Sequence, residues 1–314
     1  MKHKISIGTR RSPLAIWQAE WVANLLENAG HPCQLVPMDT KGDRMLKVAI
    51  PEIGSKGVFT EDLEHELEKG TIDLAVHSAK DMPSELPPGF ELIAFTEREE
   101  AHDVLVSYQE AFDQHKELII GTSSTRRVAL IGRHYPQFTC KSVRGNLQTR
   151  LKKMRSGQMD ALLLAYAGVH RLGLDNLIRH SFSIEDFVPA VGQGSMAIEV
   201  SQSLSKDKKS LIREVINHQP TEICLLAERA FLFTIQGGCS IPAFAHARSH
   251  GDTIAIQGGI IALNGEEMVQ KQLSDRIANA SKLGTKLGRS VLDAGGAKIL
   301  EEIKWQMNKR NETN

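Results

Sequence analysis

Gly70-Thr71-Ile72-Asp73-Leu74-Ala75-Val76-His77-Ser78-Ala79-Lys80-Asp81-Met82-Pro83 is the stretch on which the fold turns. Ile72, Leu74, Ala75 and Val76 form a short apolar run behind a helical pattern that stops at Gly70, which reads as a buried parallel strand. The run then breaks into His77, Ser78, Lys80 and Asp81. Ligands of open α/β sheets sit just beyond the carboxyl ends of strands, and these polar groups are expected there. Taken alone, the stretch reads equally well as a strand leaving the core and turning at Pro83.

On the N-terminal side, Ile5 and Ile7 begin a strand that ends in Gly8-Thr9-Arg10-Arg11-Ser12-Pro13. Ser12 is a natural N-cap and Pro13 a natural first helical residue, and Leu14, Trp17, Trp21 and Leu25 recur at helical spacing up to Gly30. Two arginines at such a turn make an anion pocket, because free backbone N–H groups and the helix dipole add to their charge. A second strand over 34–38 precedes a weakly periodic segment, 45–57, that ends Gly54-Ser55-Lys56-Gly57. That segment suits a basic loop able to close over an anion, and equally an ordinary exposed loop. Thr60 caps a helix with Leu63 and Leu67 inward, and 91–95 is a further strand.

On the C-terminal side the pattern repeats. Strands at 104–106 and 118–120 are followed by Gly121-Thr122-Ser123-Ser124-Thr125-Arg126-Arg127 and a helix from Val128. A strand over 138–143 ends in Arg144-Gly145-Asn146, and its helix carries Leu147, Arg150, Leu151 and Met154. A buried strand over 159–165 leads to a helix opening at Gly168 and carrying Arg171. Gly157-x-x-Asp160-x-Leu162 echoes Gly70-x-x-Asp73-x-Ala75, hinting at two similar lobes. Arg10, Arg11, Arg126, Arg127, Arg144, Arg150 and Arg171 all fall near strand ends or helix starts, which suits a ligand with several carboxylates or phosphates. No Walker A or GxGxxG pattern is present, so a nucleotide is not the favoured anion. Val188-Pro189-Ala190-Val191-Gly192-Gln193-Gly194-Ser195 reads as a crossover back to the first lobe, or as a plain turn.

Beyond a polar turn at 201–209 the composition changes. Helices over 211–215 and 221–233, the latter with Leu225, Leu226, Ala230 and Phe231 inward, precede Gln236-Gly237-Gly238-Cys239-Ser240-Ile241-Pro242. Cys239 follows two glycines, so its thiol could be an accessible nucleophile or attachment point; read alone, a small buried hydrophobe is the commoner fate. Strands around Asn264-Gly265 form a hairpin, and two helices end the chain. The 314 residues carry zero net charge, which argues against nucleic acid or a membrane surface as partner. The four cysteines are far apart, so neither a zinc site nor a disulfide framework is expected and no metal is assigned. No signal peptide or membrane span is visible, so a cytoplasmic location is expected.

The motifs TRRSPLAIWQA, TKGDR, GSKGVFTEDLE, DLAVHSAKDMP, GTSSTRR, VRGNLQTRL, AGVHRLGL, PAVGQG, LAERAF and GGCSIP stand in order along nearly the whole chain. In these the sequence resembles the porphobilinogen deaminase (hydroxymethylbilane synthase) family. The resemblance implies an α/β fold of two periplasmic-binding-protein-like lobes, 1–96 with 194–214 and 97–193. A smaller α+β C-terminal domain with an antiparallel sheet, 215–314, would carry the cofactor. It implies a transferase that joins four porphobilinogen molecules head to tail into hydroxymethylbilane with release of ammonia, for tetrapyrrole and haem biosynthesis. The implied cofactor is a dipyrromethane in thioether linkage to Cys239. Carried over by motif, Asp81 is the catalytic carboxylate. Arg10, Ser12, Lys80, Thr122, Ser123, Ser124, Arg126, Arg127, Arg144, Gly145, Asn146, Arg150 and Arg171 bind cofactor and substrate carboxylates. Lys56, Phe59 and Gln193 belong to the cleft.

Glu52, Glu100-Ala101-His102-Asp103, His170 and Gln236 depart from the commoner family pattern, which puts loop affinity and interdomain contacts in question more than the chemistry. A non-catalytic two-lobed binding protein for a polycarboxylate is the alternative. It explains the arginines but neither an accessible thiol in an added domain nor an aspartate at the pocket. Nothing in the sequence demands more than a monomer.

Overall fold

A computed structural model describes residues 4–40, 60–110, 113, 115–238 and 241–312. The chain opens with β1 (Ile5–Arg10), α1 (Pro13–Asn28) and β2 (Cys33–Met38), followed by α2 (Glu61–Glu68), β3 (Leu74–Ser78) and β4 (Phe90–Phe95). It then crosses to β5 (Asp103–Val106), β6 (Leu118–Gly121), α3 (Thr125–His134), β7 (Phe138–Lys141), α4 (Leu147–Arg155), β8 (Ala161–Ala165), α5 (Tyr166–His170) and β9 (Ile178–Ser181). It returns through β10 (Met196–Ser201). Among the described residues the first sheet runs β2-β1-β3-β10-β4 and the second β7-β6-β8-β5-β9. The two orders match position by position, and in each the strand next to last has come across from the other lobe and runs antiparallel to its neighbours. Both crossovers therefore lie side by side between the lobes.

The echoed glycine–aspartate motif has a shared structural cause. Asp73 accepts from the backbone N–H of Ser6 through Oδ2 at 2.9 Å and donates its own N–H to the Ser6 carbonyl at 2.8 Å. Asp160 treats Ile119 identically, at 2.7 and 2.9 Å. Each aspartate clips the start of one strand, β3 or β8, to the second residue of its parallel neighbour, β1 or β6, satisfying backbone groups the ladder leaves open.

After β10, α6 (Lys206–Ile216) packs Ile212 and Ile216 into the core of the first lobe; the third unit then holds α7 (Gln219–Thr234), β11 (Ala243–His250), β12 (Thr253–Ile261), β13 (Met268–Arg276), α8 (Ala280–Val291) and α9 (Ala297–Glu312). Its strands form an antiparallel sheet in chain order, with Gly265 at φ +81° in the expected hairpin turn. Ala227, Phe231, Ile254, Ile256, Leu283 and Leu287 fill its core. One carboxylate joins this unit to both crossovers. Glu228 of α7 pairs with Arg98 at 2.5 Å and accepts from the N–H groups of Gly192 and Ala247, each at 2.8 Å.

Several elements differ from expectation. α3 starts at Thr125 rather than Val128, because the Ser124 hydroxyl caps it by accepting from Arg127 N–H; Arg126 and Arg127 thus fall in its first turn. α5 opens at Tyr166, before Gly168, and α6 takes up half of the expected polar turn. Leu226, expected inward, is 42% exposed. β9 and β11 were not anticipated; β9 is an edge strand, Ile-Arg-His-Ser, without an apolar run.

Candidate active site

His77, expected at the ligand end of β3, lies inside the strand and is buried; the strand continues to Ser78. Lys80 and Asp81 close a short 3-10 helix, Ala79–Asp81, that follows directly. Asp81 is exposed and Lys80 half-buried. From the second lobe, Arg127, Asp103 and Arg126 act electrostatically on Lys80, and both Arg127 and Asp81 act on Arg150. The end of β3 and the starts of α3 and α4 therefore face one another across a cleft between the lobes. Lys80, Arg126, Arg127 and Arg150 outnumber Asp81 and Asp103 there. Withdrawal from water, and then the Arg127 charge, hold the Lys80 ammonium down to about 8. A surplus of crowded cations is what an anionic ligand would relieve.

The strand-to-helix turns that open α1, α3 and α4 are each built on a side-chain cap. The Ser12 hydroxyl accepts from Ala15 N–H at 3.3 Å, Ser124 accepts from Arg127 N–H, and Asn146 Oδ1 accepts from Thr149 N–H at 2.9 Å. Capping leaves the two serine O–H groups and the Asn146 amide nitrogen able to donate. Ser123 donates to the Val143 carbonyl at 2.6 Å, tying α3's turn to the strand end before Arg144. Thr122 is buried, and Gly145 takes φ +118°, where a side chain would strike Thr149. Arg10 ends β1 half-buried, and Arg144 is exposed beside α4. Arg150 donates through Nε to the Gly145 carbonyl at 2.7 Å. Arg171 reaches the Gly194 carbonyl at 2.6 Å while its guanidinium sits 5.5 Å from the Trp17 ring of the first lobe. Arg11 lies outside this group, 3.5 Å from Asp39.

Two of the expected ligand arginines have their Nη atoms engaged within the protein. Arg126 donates to the Val188 carbonyl at 2.9 Å and to Asp103 at 2.6 Å; Arg127 donates to the Leu163 carbonyl at 3.0 Å and to Asp103 at 2.7 Å. Gln193, buried rather than lining open space, donates through Nε2 to the Ala101 carbonyl at 2.6 Å and to Asp103 at 2.9 Å. Burial works to raise the Asp103 pKa, but the two arginine charges and their hydrogen bonds outweigh it and hold the carboxyl well below the usual range. Asp103 is the organising residue that sequence reading missed; its one signal is a charge opening the otherwise apolar strand Asp-Val-Leu-Val. The departures at 102 and 170 meet on α5, where the Tyr166 ring stacks between His102 at 4.6 Å and His170 at 5.3 Å.

Cys239, Lys56, Phe59 and Glu52 lie outside the described residues. The described chain flanks Cys239 closely: Gly237 N–H bonds the Leu232 carbonyl at the end of α7, and Ile241 N–H bonds the Gly238 carbonyl at 3.0 Å. Among the described residues no group of His, Cys, Asp and Glu is arranged to hold a metal, and no helix is long and apolar enough to cross a membrane. A concavity of about 710 Å³ lies elsewhere, on the solvent face of α8 beside Lys271.

Fold and site together define a two-lobed α/β chain with a cation-rich cleft and a third unit fastened to its crossovers. Comparison with known proteins narrows this class. Residues 5–209 match the family model described as "Porphobilinogen deaminase, dipyromethane cofactor binding domain", and 222–293 match "Porphobilinogen deaminase, C-terminal domain". A porphobilinogen deaminase of Desulfosudis oleivorans is 53% identical over 96% of this chain and 99% of its own length. One of Cytophaga hutchinsonii is 48% identical over 98% and 100%. The chain belongs to the porphobilinogen deaminase family. Among solved structures, the VFT2 domain of Bordetella pertussis BvgS covers 67% of this chain and 85% of its own at 14% identity, with a TM-score of 0.42. The substrate binding protein of an amino acid ABC transporter covers 68% and 91% at 17% identity, with a TM-score of 0.37. The two-lobe description rests on the matching sheets, not on these likenesses.

Proposed function

We infer that family membership sets the activity of this chain. It is a transferase of tetrapyrrole biosynthesis that deaminates porphobilinogen and joins four molecules head to tail into hydroxymethylbilane. The single observation that carries the site assignment is Asp81, an exposed carboxylate at the end of β3, set among cations from both lobes. As the amino group of porphobilinogen's aminomethyl arm leaves as ammonia, positive charge develops on the pyrrole and its methylene. Asp81 accepts the pyrrole N–H and offsets that charge.

The donor set suits a dipyrromethane bearing acidic side chains. Arg10, Arg144, Arg150, Arg171 and Lys80 hold its carboxylates and those of the substrate, helped by Ser12, Thr122, Ser123, Ser124, Gly145 and Asn146 at the capped turns. Arg126 and Arg127 form a second row, held by Asp103 and Gln193, that supplies field and keeps the turn of α3 in place. The cofactor, in thioether linkage to Cys239, supplies the pyrrole carbon on which the chain grows. Lys56 and Phe59 complete the cleft. In this reading the lobes are 1–96 with 194–214 and 97–193, the cofactor-bearing domain is 215–314, and the protein acts as a cytoplasmic monomer.

The test is to incubate the purified chain with porphobilinogen and follow substrate and ammonia together. One ammonia released per porphobilinogen consumed, abolished in Asp81→Asn, is expected. Saturable binding without ammonia would instead make the chain a polycarboxylate-binding protein.

A further inference from the structure

A buried polar cluster lies behind Asp81, and the chemistry above does not use it. His77 Nε2 stands 2.9 Å from Glu199 Oε2 between β3 and β10, with side chains 6% and 0% exposed. Glu64 of α2 faces the same pair, its carboxyl pKa raised chiefly by burial. Arg229, reaching in from α7, is acted on by Glu199 and donates to the carbonyls of Pro83 at 2.9 Å and Ser84 at 3.4 Å. Two neutral bonds hold the same segment: Gln18 Nε2 donates to Ser78 Oγ at 3.0 Å, and Ala79 N–H to the Ser195 carbonyl at 2.9 Å. All of these attachments fall between residues 77 and 84, with Lys80 and Asp81 at the middle.

A buried carboxylate is a poor source of stability, because the cost of removing its charge from water cancels most of what its partners return. Apolar residues would hold β3 to β10 as well. A buried carboxylate does demand one geometry, since any slip leaves it without the imidazole and guanidinium groups set beside it. We propose that His77, Glu199 and Arg229 are positioning residues that set the placement of Asp81 in the cleft, with Glu199 shared between the imidazole on β3 and the guanidinium on α7. The third domain thereby holds both ends of the Asp81 segment in register with the lobe.

This rests on the reading of Asp81, so the test examines both. Holoprotein carrying Glu199→Gln, Arg229→Gln, Asp81→Glu, Asp81→Asn or the Glu199→Gln/Asp81→Glu pair is assayed for cofactor by intact mass, and for kcat and KM with porphobilinogen. Glu199→Gln and Arg229→Gln should keep the cofactor and hold KM within about twofold, while kcat falls by about tenfold or more. In the double variant the loss should stay within about twofold of the larger single loss, because a carboxylate already misplaced has no further placement to lose. Losses that multiply, or full kcat in both Glu199→Gln and Arg229→Gln, would overturn the proposal. If Glu199→Gln fails to fold, Arg229→Gln decides alone: lowered kcat at unchanged KM supports the proposal, and unchanged kcat refutes it. Full turnover in Asp81→Asn would remove Asp81 from the chemistry and the positioning proposal with it, a result distinct from failure of the positioning variants alone.

Discussion

Asp103 shows how one residue governs several others. Its two oxygens meet Arg126, Arg127 and Gln193 in a buried setting, so Asp103→Asn leaves two guanidinium groups with one neutral partner. Removing one member of such a network costs about 3–5 kcal/mol. The variant should show a clearly lowered unfolding midpoint in denaturant, and a wild-type midpoint would mean the arginines are held by something else. Lys80 gives a pH signature. Its folded pKa is depressed to about 8, so the ligand-free site loses this positive charge as pH rises through that value. With the unfolded group titrating higher, the folded state also gains stability across that same rise. We expect kcat/KM for porphobilinogen to fall on the alkaline side of about pH 8, and Lys80→Met to start low and lack that limb. A limb unchanged in Lys80→Met would assign it to another group. The arginines and capping residues were legible in the sequence because each sits next to the strand end or helix start that it serves. Asp103 was not, because its partners lie more than twenty residues away and only the folded sheet brings them together.

Among the elements, the turn carrying Asp81 is pressed by the returning crossover. Gly192 has φ +74°, and a side-chain carbon there would lie 2.9 Å from the Ala79 carbonyl carbon. Gly173 also has positive φ, +65°, with nothing within 4 Å of such a carbon. Gly192→Ala and Gly173→Ala should both carry a backbone penalty of about 1–3 kcal/mol. Only Gly192→Ala should also displace Ala79–Asp81 and lower kcat; equal kcat in the two variants would show that the contact does not matter to the site. At this scale apolar runs and caps marked most strands and helices. The aspartate echo, weak as sequence, corresponds to the same clip in both lobes. What escaped notice lacked an apolar period: β9 is a polar edge strand, and α3 begins behind its Ser124 cap three residues before its first apolar residue, Val128.

For the whole molecule, the two lobes face one cleft with the same strand order used twice, and the third unit is fastened at the crossovers through Glu228 and at the Asp81 segment through Arg229. The change of architecture beyond the second crossover was visible in the hairpin signal and the loss of strand–helix alternation. These two fastenings were not, since their partners lie 130 residues apart for Arg98 and Glu228 and 146 for Arg229 and Pro83. The central claim is that this scaffold holds its own two-pyrrole cofactor on Cys239 and builds on it. Intact mass of the purified chain, beside that of Cys239→Ser, tests this most directly. The account predicts a mass above that of the bare polypeptide by two linked pyrroles, absent together with turnover in Cys239→Ser. A wild-type chain at its bare polypeptide mass that still consumes porphobilinogen at full rate would contradict it.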